Sequence, residues 1–253
     1  MEFVAMLRAA RVLKWYAAVL AVIEVLVFIA IFHGGRPHIG DAPHMRGSQS
    51  GIPFDALLLG GLLGPLVVSS FLAAGLDGEY RTAAIAWTRP IARLGIAARY
   101  IVVDAVALLA AWLVTLVACL IPLAATGLLK FITFTPALGG KAFLLGTGIA
   151  VMWYGLVVIT AALLPGRGGA VAGWSWGVFL ILPGLAHAPF PQLIHEIIIA
   201  LNYLNPFAYL GGIGSGSNIL GLEPALRISL PWIIGIAAVV AGTQLWARRE
   251  VPA

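Results

Sequence analysis

Six stretches of this chain are each apolar over about twenty residues, the length at which an α-helix crosses the ~30 Å hydrocarbon core of a bilayer. They are Tyr16–Phe32, Phe54–Leu76, Tyr100–Leu123, Ala142–Leu164, Gly169–Ala186 and Ile228–Ala247. Only 10% of the residues are charged and 61% are hydrophobic, whereas a soluble domain carries ~25% charge to solvate its surface. The solvent implied for most of the chain is lipid. The expected fold is an all-α integral membrane protein, with residues 1–253 as one transmembrane domain of six spans.

Between the fifth and sixth stretches lies an apolar but broken segment, Pro189–Leu222. It is interrupted by Pro191, by Asn205-Pro206 and by Gly211, Gly212, Gly214 and Gly216. Irregular backbone is tolerated at membrane depth only where protein covers it, so this outer segment is expected to form re-entrant half-helices. At the other extreme, residues 2–14 place Arg8, Arg11 and Lys14 at three-residue spacing, as a short interfacial helix would. A secretory signal is not the expectation here, because Glu24 interrupts the apolar run and no small-residue cleavage site follows.

Charge asymmetry orients the spans. With the N-terminus inside, the inner segments hold Arg8, Arg11, Lys14, Arg81, Arg89, Arg93, Arg99, Arg167, Arg248 and Arg249, and the outer ones hold Arg36, Arg46, Lys130, Lys141 and Arg227. Ten against five follows the positive-inside rule. It places both termini in the cytoplasm and the protein in the inner (plasma) membrane as a multi-pass chain. The net charge of +5 is thereby read as membrane-flank charge, with no nucleic-acid partner. The single cysteine, Cys119, excludes an intramolecular disulfide and a cysteine-rich metal site.

The inner loop after the second span, residues 77–99, is the most informative segment. Glu79, Tyr80, Arg81, Thr82, Arg89 and Arg93 are interleaved with Ile85 and Trp87, and Pro90 ends the helical stretch. Such a segment can form a short helix across the membrane face, offering apolar knobs and charges to a partner; the alternative is a basic anchor on anionic headgroups. Glu79, Trp87-Thr88 and Pro90-x-x-Arg93 resemble the coupling helix of type-2 ABC exporter permeases, the membrane subunits of bacterial ABC transporters. The family's Gly-Thr pair is Ala83-Ala84 here, and Arg99 stands where a lysine usually opens the third span. The likeness extends to the basic first helix, the six spans, the broken outer segment with Asn205-Pro206-Phe207, and the terminal pair Arg248-Arg249.

The resemblance implies a permease subunit that dimerises with an identical or homologous partner and docks two ABC ATPase subunits through the coupling loop 77–99. Glu79, Tyr80, Arg81, Thr82, Trp87, Arg89, Pro90 and Arg93 would carry that coupling. No cofactor is expected on this chain; ATP and Mg belong to the partner ATPases. The sequence has no G-x-x-x-x-G-K-[ST] phosphate loop: its only Gly-Lys, Gly140-Lys141, lacks both the earlier glycine and the hydroxyl. The chain is therefore expected to be a transport subunit and not itself an enzyme.

Single residues stand out within this frame. Glu24 falls near mid-membrane, where a carboxylate costs roughly 2.5–3.5 kcal/mol on insertion scales. It is a candidate for the translocation path, the alternative being a protonated Glu hydrogen-bonded within its own subunit. Asp104, one turn into the third span, is expected to pair with Arg99 or Arg81. Gly169, Gly173 and Gly177, spaced by four, form a helix-packing face that could lie at a dimer seam. His33, His38 and His44 share a loop too rich in Gly, Pro and Ser to fix metal geometry, and His187, His195 and Glu196 border the outer segment; no metal site is assigned. A membrane-embedded enzyme would need more than Gly214-Ser215-Gly216, for which no base is placed, or the close pair Asp77 and Glu79. A secondary transporter is the other alternative, weakened by the lack of internal repeats.

Overall fold

The computed structural model describes residues 2–33, 51–73, 93–164, 166–210 and 219–248. Seven helices carry these residues: α1 (Glu2–His33), α2 (Phe54–Ala73), α3 (Arg93–Ala125), α4 (Pro136–Leu163), α5 (Gly168–Leu185), α6 (Gln192–Asn202) and α7 (Pro224–Arg248). Six of them, all but α6, are long and apolar enough to cross a membrane. The chain is an all-helical, multi-pass membrane protein. Most spans extend a turn or more beyond the apolar windows, because a helix continues as long as its backbone hydrogen bonds do and is not cut where hydropathy falls.

The N-terminal segment departs from expectation. Residues 2–14 do not form a separate interfacial helix; they are the first turns of one continuous helix, Glu2–His33. Nothing in this stretch breaks it, since it holds neither glycine nor proline. At 1.5 Å per residue, α1 is about 48 Å long, well beyond the hydrocarbon thickness.

α2 is bent at Gly61-Leu62, and the cause is Pro65. Proline has no N–H for the carbonyl four residues back and its ring crowds that carbonyl. Here that carbonyl belongs to Gly61, and Gly64 N–H takes it instead at 3.2 Å. Leu62 N–H turns to Leu59, which frees the Leu58 carbonyl, and the Trp112 indole N–H of α3 donates to it at 3.0 Å. The same logic operates in α5, where Pro183 leaves the Phe179 carbonyl without its helical donor and Asn205 Nδ2 supplies one at 2.9 Å.

Directions follow from a few contacts. Arg8 of α1 meets Asp104 of α3, and Tyr100 of α3 meets Trp246 of α7, so the starts of α1 and α3 and the finish of α7 share one end of the bundle. At the opposite end a two-residue parallel ladder, Ile52–Pro53 with Ile132–Thr133, ties the entry of α2 to the exit of α3. The finish of α2 and the start of α3 therefore lie on the Arg8 side.

α4 is the central helix: 67% of its apolar window is buried, against 61% for α2 and none for α1. In lipid, apolar burial gives little drive for helices to associate, so packing and interhelical hydrogen bonds must supply it. The α4–α7 seam shows the packing. A Cβ on Gly155 would lie 2.6 Å from the Gly235 carbonyl oxygen, one on Gly235 would lie 2.5 Å from Met152 N, and one on Gly242 would lie 2.9 Å from Ile159 N. Backbone rests on backbone there. By contrast, nothing lies within 4 Å of a Cβ on Gly173 or Gly177. Within this chain the close-packing face is thus not the α5 stripe, because α5 turns Trp176 and Phe179 inward onto Trp153, each ring pair 5.7 Å apart.

The outer segment is broken as expected. It contains α6 and a short 3₁₀ turn, Pro206–Tyr209. Asn202 and Asn205 pin it to α5 through the Leu182 and Phe179 carbonyls. Arg227, a cation in the first turn of α7 where the helix dipole disfavours it, is held by the Tyr209 carbonyl at 2.9 Å from Nε and 2.7 Å from a terminal nitrogen.

Candidate functional site

Among the polar features within the apolar interior of the described residues, two involve α1. The first is a buried ion pair. Asp104, fully enclosed in α3, accepts a 2.5 Å hydrogen bond from the Arg8 guanidinium and a 2.7 Å bond from the Tyr154 hydroxyl of α4. The guanidinium also lies over the Tyr100 ring, 5.1 Å from its centroid. One carboxylate thereby joins α1, α3 and α4. Among the described residues the ion-pair partner of Asp104 is Arg8, which α1 brings to it by packing lengthwise on α3; Arg81, one of the two partners expected, lies outside the described residues.

The second feature is a groove of about 800 Å³ between α1, α2 and α3. Its α1 wall includes Val12, Tyr16, Val19 and Ile23, residues three or four apart that share one helix face. Leu63, Val67 and Phe71 of α2 and Ala118 and Cys119 of α3 form the remaining walls. Glu24 lines this groove, and its Oε2 is buried with no hydrogen-bond partner among the described residues. At the waist, Thr115 gives its proton to the Ala111 carbonyl at 2.7 Å, which leaves Tyr16 as donor in the 2.7 Å Tyr16–Thr115 bond. Gly64 sits against this bond; a Cβ there would meet the Ala111 carbonyl oxygen at 2.6 Å.

A second crevice of about 320 Å³, between α2, α3, α4 and α7, is walled by Leu108, Trp112, Tyr154 and Trp232 and has no charged residue in its lining. It offers no charge to orient a ligand. In the outer segment the Tyr209 phenol is pushed up to about 12 by burial and, less, by Tyr203. It is a neutral donor to the Tyr203 carbonyl at 2.8 Å. Glu196 accepts from Gln192 at 2.9 Å on the exposed side of α6.

Of the residues singled out in sequence, Glu24 lines a groove and Asp104 lies in a buried pair. Glu79, Tyr80, Arg81, Thr82, Trp87, Arg89 and Pro90 lie outside the described residues, as do His38, His44 and Ser215; Arg93 opens α3, with its side chain outside them too. Among the described residues no group of three or more His, Cys, Asp or Glu is placed to hold a metal ion. Sequence reasoning missed Arg8, Tyr154 and the α4–α7 glycines. The last had a readable signal: Gly148 and Gly155, like Gly235 and Gly242, are seven residues apart and so share a helix face. Comparisons with protein-family models, with curated proteins and with solved structures find no match to this chain.

Proposed function

We propose that this chain is the transmembrane permease subunit of an ATP-driven ABC exporter, working as a dimer with separate ATPase subunits docked at the cytoplasmic end. One observation carries the reading: the loop between α2 and α3 holds Glu79, Trp87-Thr88 and Pro90-x-x-Arg93 in the order of a coupling helix. Supporting it, that loop joins helix ends on the side of the bundle where Arg8 lies, the side the positive-inside rule assigns to the cytoplasm. Six apolar helices and the absence of a phosphate-loop motif in the sequence fit a subunit powered from outside. ATP and Mg would be bound by the partners.

A second reading, a secondary transporter, is favoured by one observation, the carboxylate of Glu24 in a groove at membrane depth. The two readings part on energy source. The permease should co-purify with an ATPase bearing its own phosphate loop and should change that ATPase's turnover. Trp87→Ala combined with Arg89→Ala should weaken the association about tenfold or more, as expected when an aromatic and an arginine anchor are lost together. Association unchanged by the double substitution, or transport that continues without ATP, would remove the permease reading.

A further inference from the structure

We propose that the groove between α1, α2 and α3 is a binding site for a lipophilic cation whose charged centre pairs with Glu24. As a statement about cargo this rests on the permease reading; as a statement about binding it does not, and binding is what the experiment below reads.

The groove has the volume of a small-molecule site, which typically spans about 300–1,000 Å³. Its walls are apolar, with Trp15, Tyr16 and Phe71 offering aromatic faces of the kind that attract cations. Its lining has two charged residues, Arg11 and Glu24. They are separated by thirteen positions on one helix, or about 20 Å along its axis, so Arg11 closes one end and does not neutralise Glu24.

The nearby hydroxyl donors are also spoken for. Thr115 donates to the Ala111 carbonyl and Tyr16 donates to Thr115, leaving Glu24 Oε2 buried without a partner among the described residues. An acyl chain would fill the walls but bring the carboxylate neither charge nor hydrogen bond. An anion would be repelled. A cation carried on an apolar body satisfies both the walls and Glu24, because a buried charge is costly unless it is paired.

The test uses the full-length chain in neutral detergent, without any ATPase, and two probes of the same shape and opposite charge: tetraphenylphosphonium and tetraphenylborate, followed by equilibrium dialysis. Tetraphenylphosphonium should bind saturably at one site per chain, and tetraphenylborate should not. Glu24→Gln should weaken tetraphenylphosphonium binding tenfold or more. Gly60→Leu should weaken it comparably without touching charge, because nothing lies within 4 Å of a Cβ at Gly60 and its new side chain would enter the groove. Either variant suffices if the other fails to fold. The proposal is overturned if the parent shows no saturable cation binding, if the two probes bind alike, or if a folded variant of either kind binds tetraphenylphosphonium as the parent does. Loss of cation binding with ATPase association intact would sink the site and spare the permease; the reverse would spare the site.

Discussion

Arg8→Met is expected to destabilise the protein by about 3–5 kcal/mol, the range seen when one partner of a buried ion pair is removed and the other is left uncompensated. Asp104 is fully enclosed, so the loss strands its carboxylate with only the Tyr154 hydroxyl. Asp104→Leu should also destabilise, by taking the carboxylate from beside the Arg8 guanidinium. The double variant, Arg8→Met with Asp104→Leu, should recover most of the loss because both charges leave together and similar volume remains. Thermal midpoints in one detergent decide it. If the double variant is as unstable as the sum of the singles, the two side chains do not act as a pair.

The second large effect is at the α4–α7 seam. Gly235→Ala places a methyl group 2.5 Å from Met152 N and 2.7 Å from Met152 Cα, both backbone atoms that cannot step aside as a side chain would. The helices must separate, and in lipid the packing they lose is the main force joining them. A cost of about 1–3 kcal/mol is expected, the range for overpacking a well-filled interior. Gly235→Leu should prevent recovery of a monodisperse protein. Gly177→Ala supplies the contrast: its Cβ meets nothing within the chain, and alanine is favoured over glycine in a helix by about 1 kcal/mol. The alanine variant should therefore be as stable as the parent or more so. If the parent is dimeric and Gly177→Ala is stable but monomeric, the α5 stripe is a seam between subunits.

What could be read from sequence divides along physical lines. Lipid demands long, uncharged helices, and that demand is local, so all six spans were legible, five of them to within about two turns; the first starts fourteen residues earlier than its apolar window. The breaking of the outer segment was legible for the same reason, since Pro191 and Asn205-Pro206 act on their own backbone; the glycines 211, 212, 214 and 216 lie outside the described residues. Side-chain pairing is not local. Asp104 was matched to Arg99 or Arg81 because these are near it along the chain, whereas the fold lays α1 against α3 and delivers Arg8 from 96 positions away. The glycine stripe is a related case: spacing shows that a helix has a small-residue face, not which helix occupies it, and among the described residues of this chain none lies against Gly173 or Gly177. The coupling role expected of residues 77–99 was read from its motif alone, and residues 77–92 lie outside those described.

α1 carries one more consequence. From Arg8 to Glu24 it advances sixteen residues, about 24 Å, without a glycine or proline at which to flex. A rod of that kind works as a lever. Any push that shifts its basic end, or any loosening of the salt link that anchors it, would be delivered almost undiminished to the acidic side chain deep in the bilayer, so events at the water-facing surface and occupancy of the oily cleft would be mechanically linked by a single unbroken shaft.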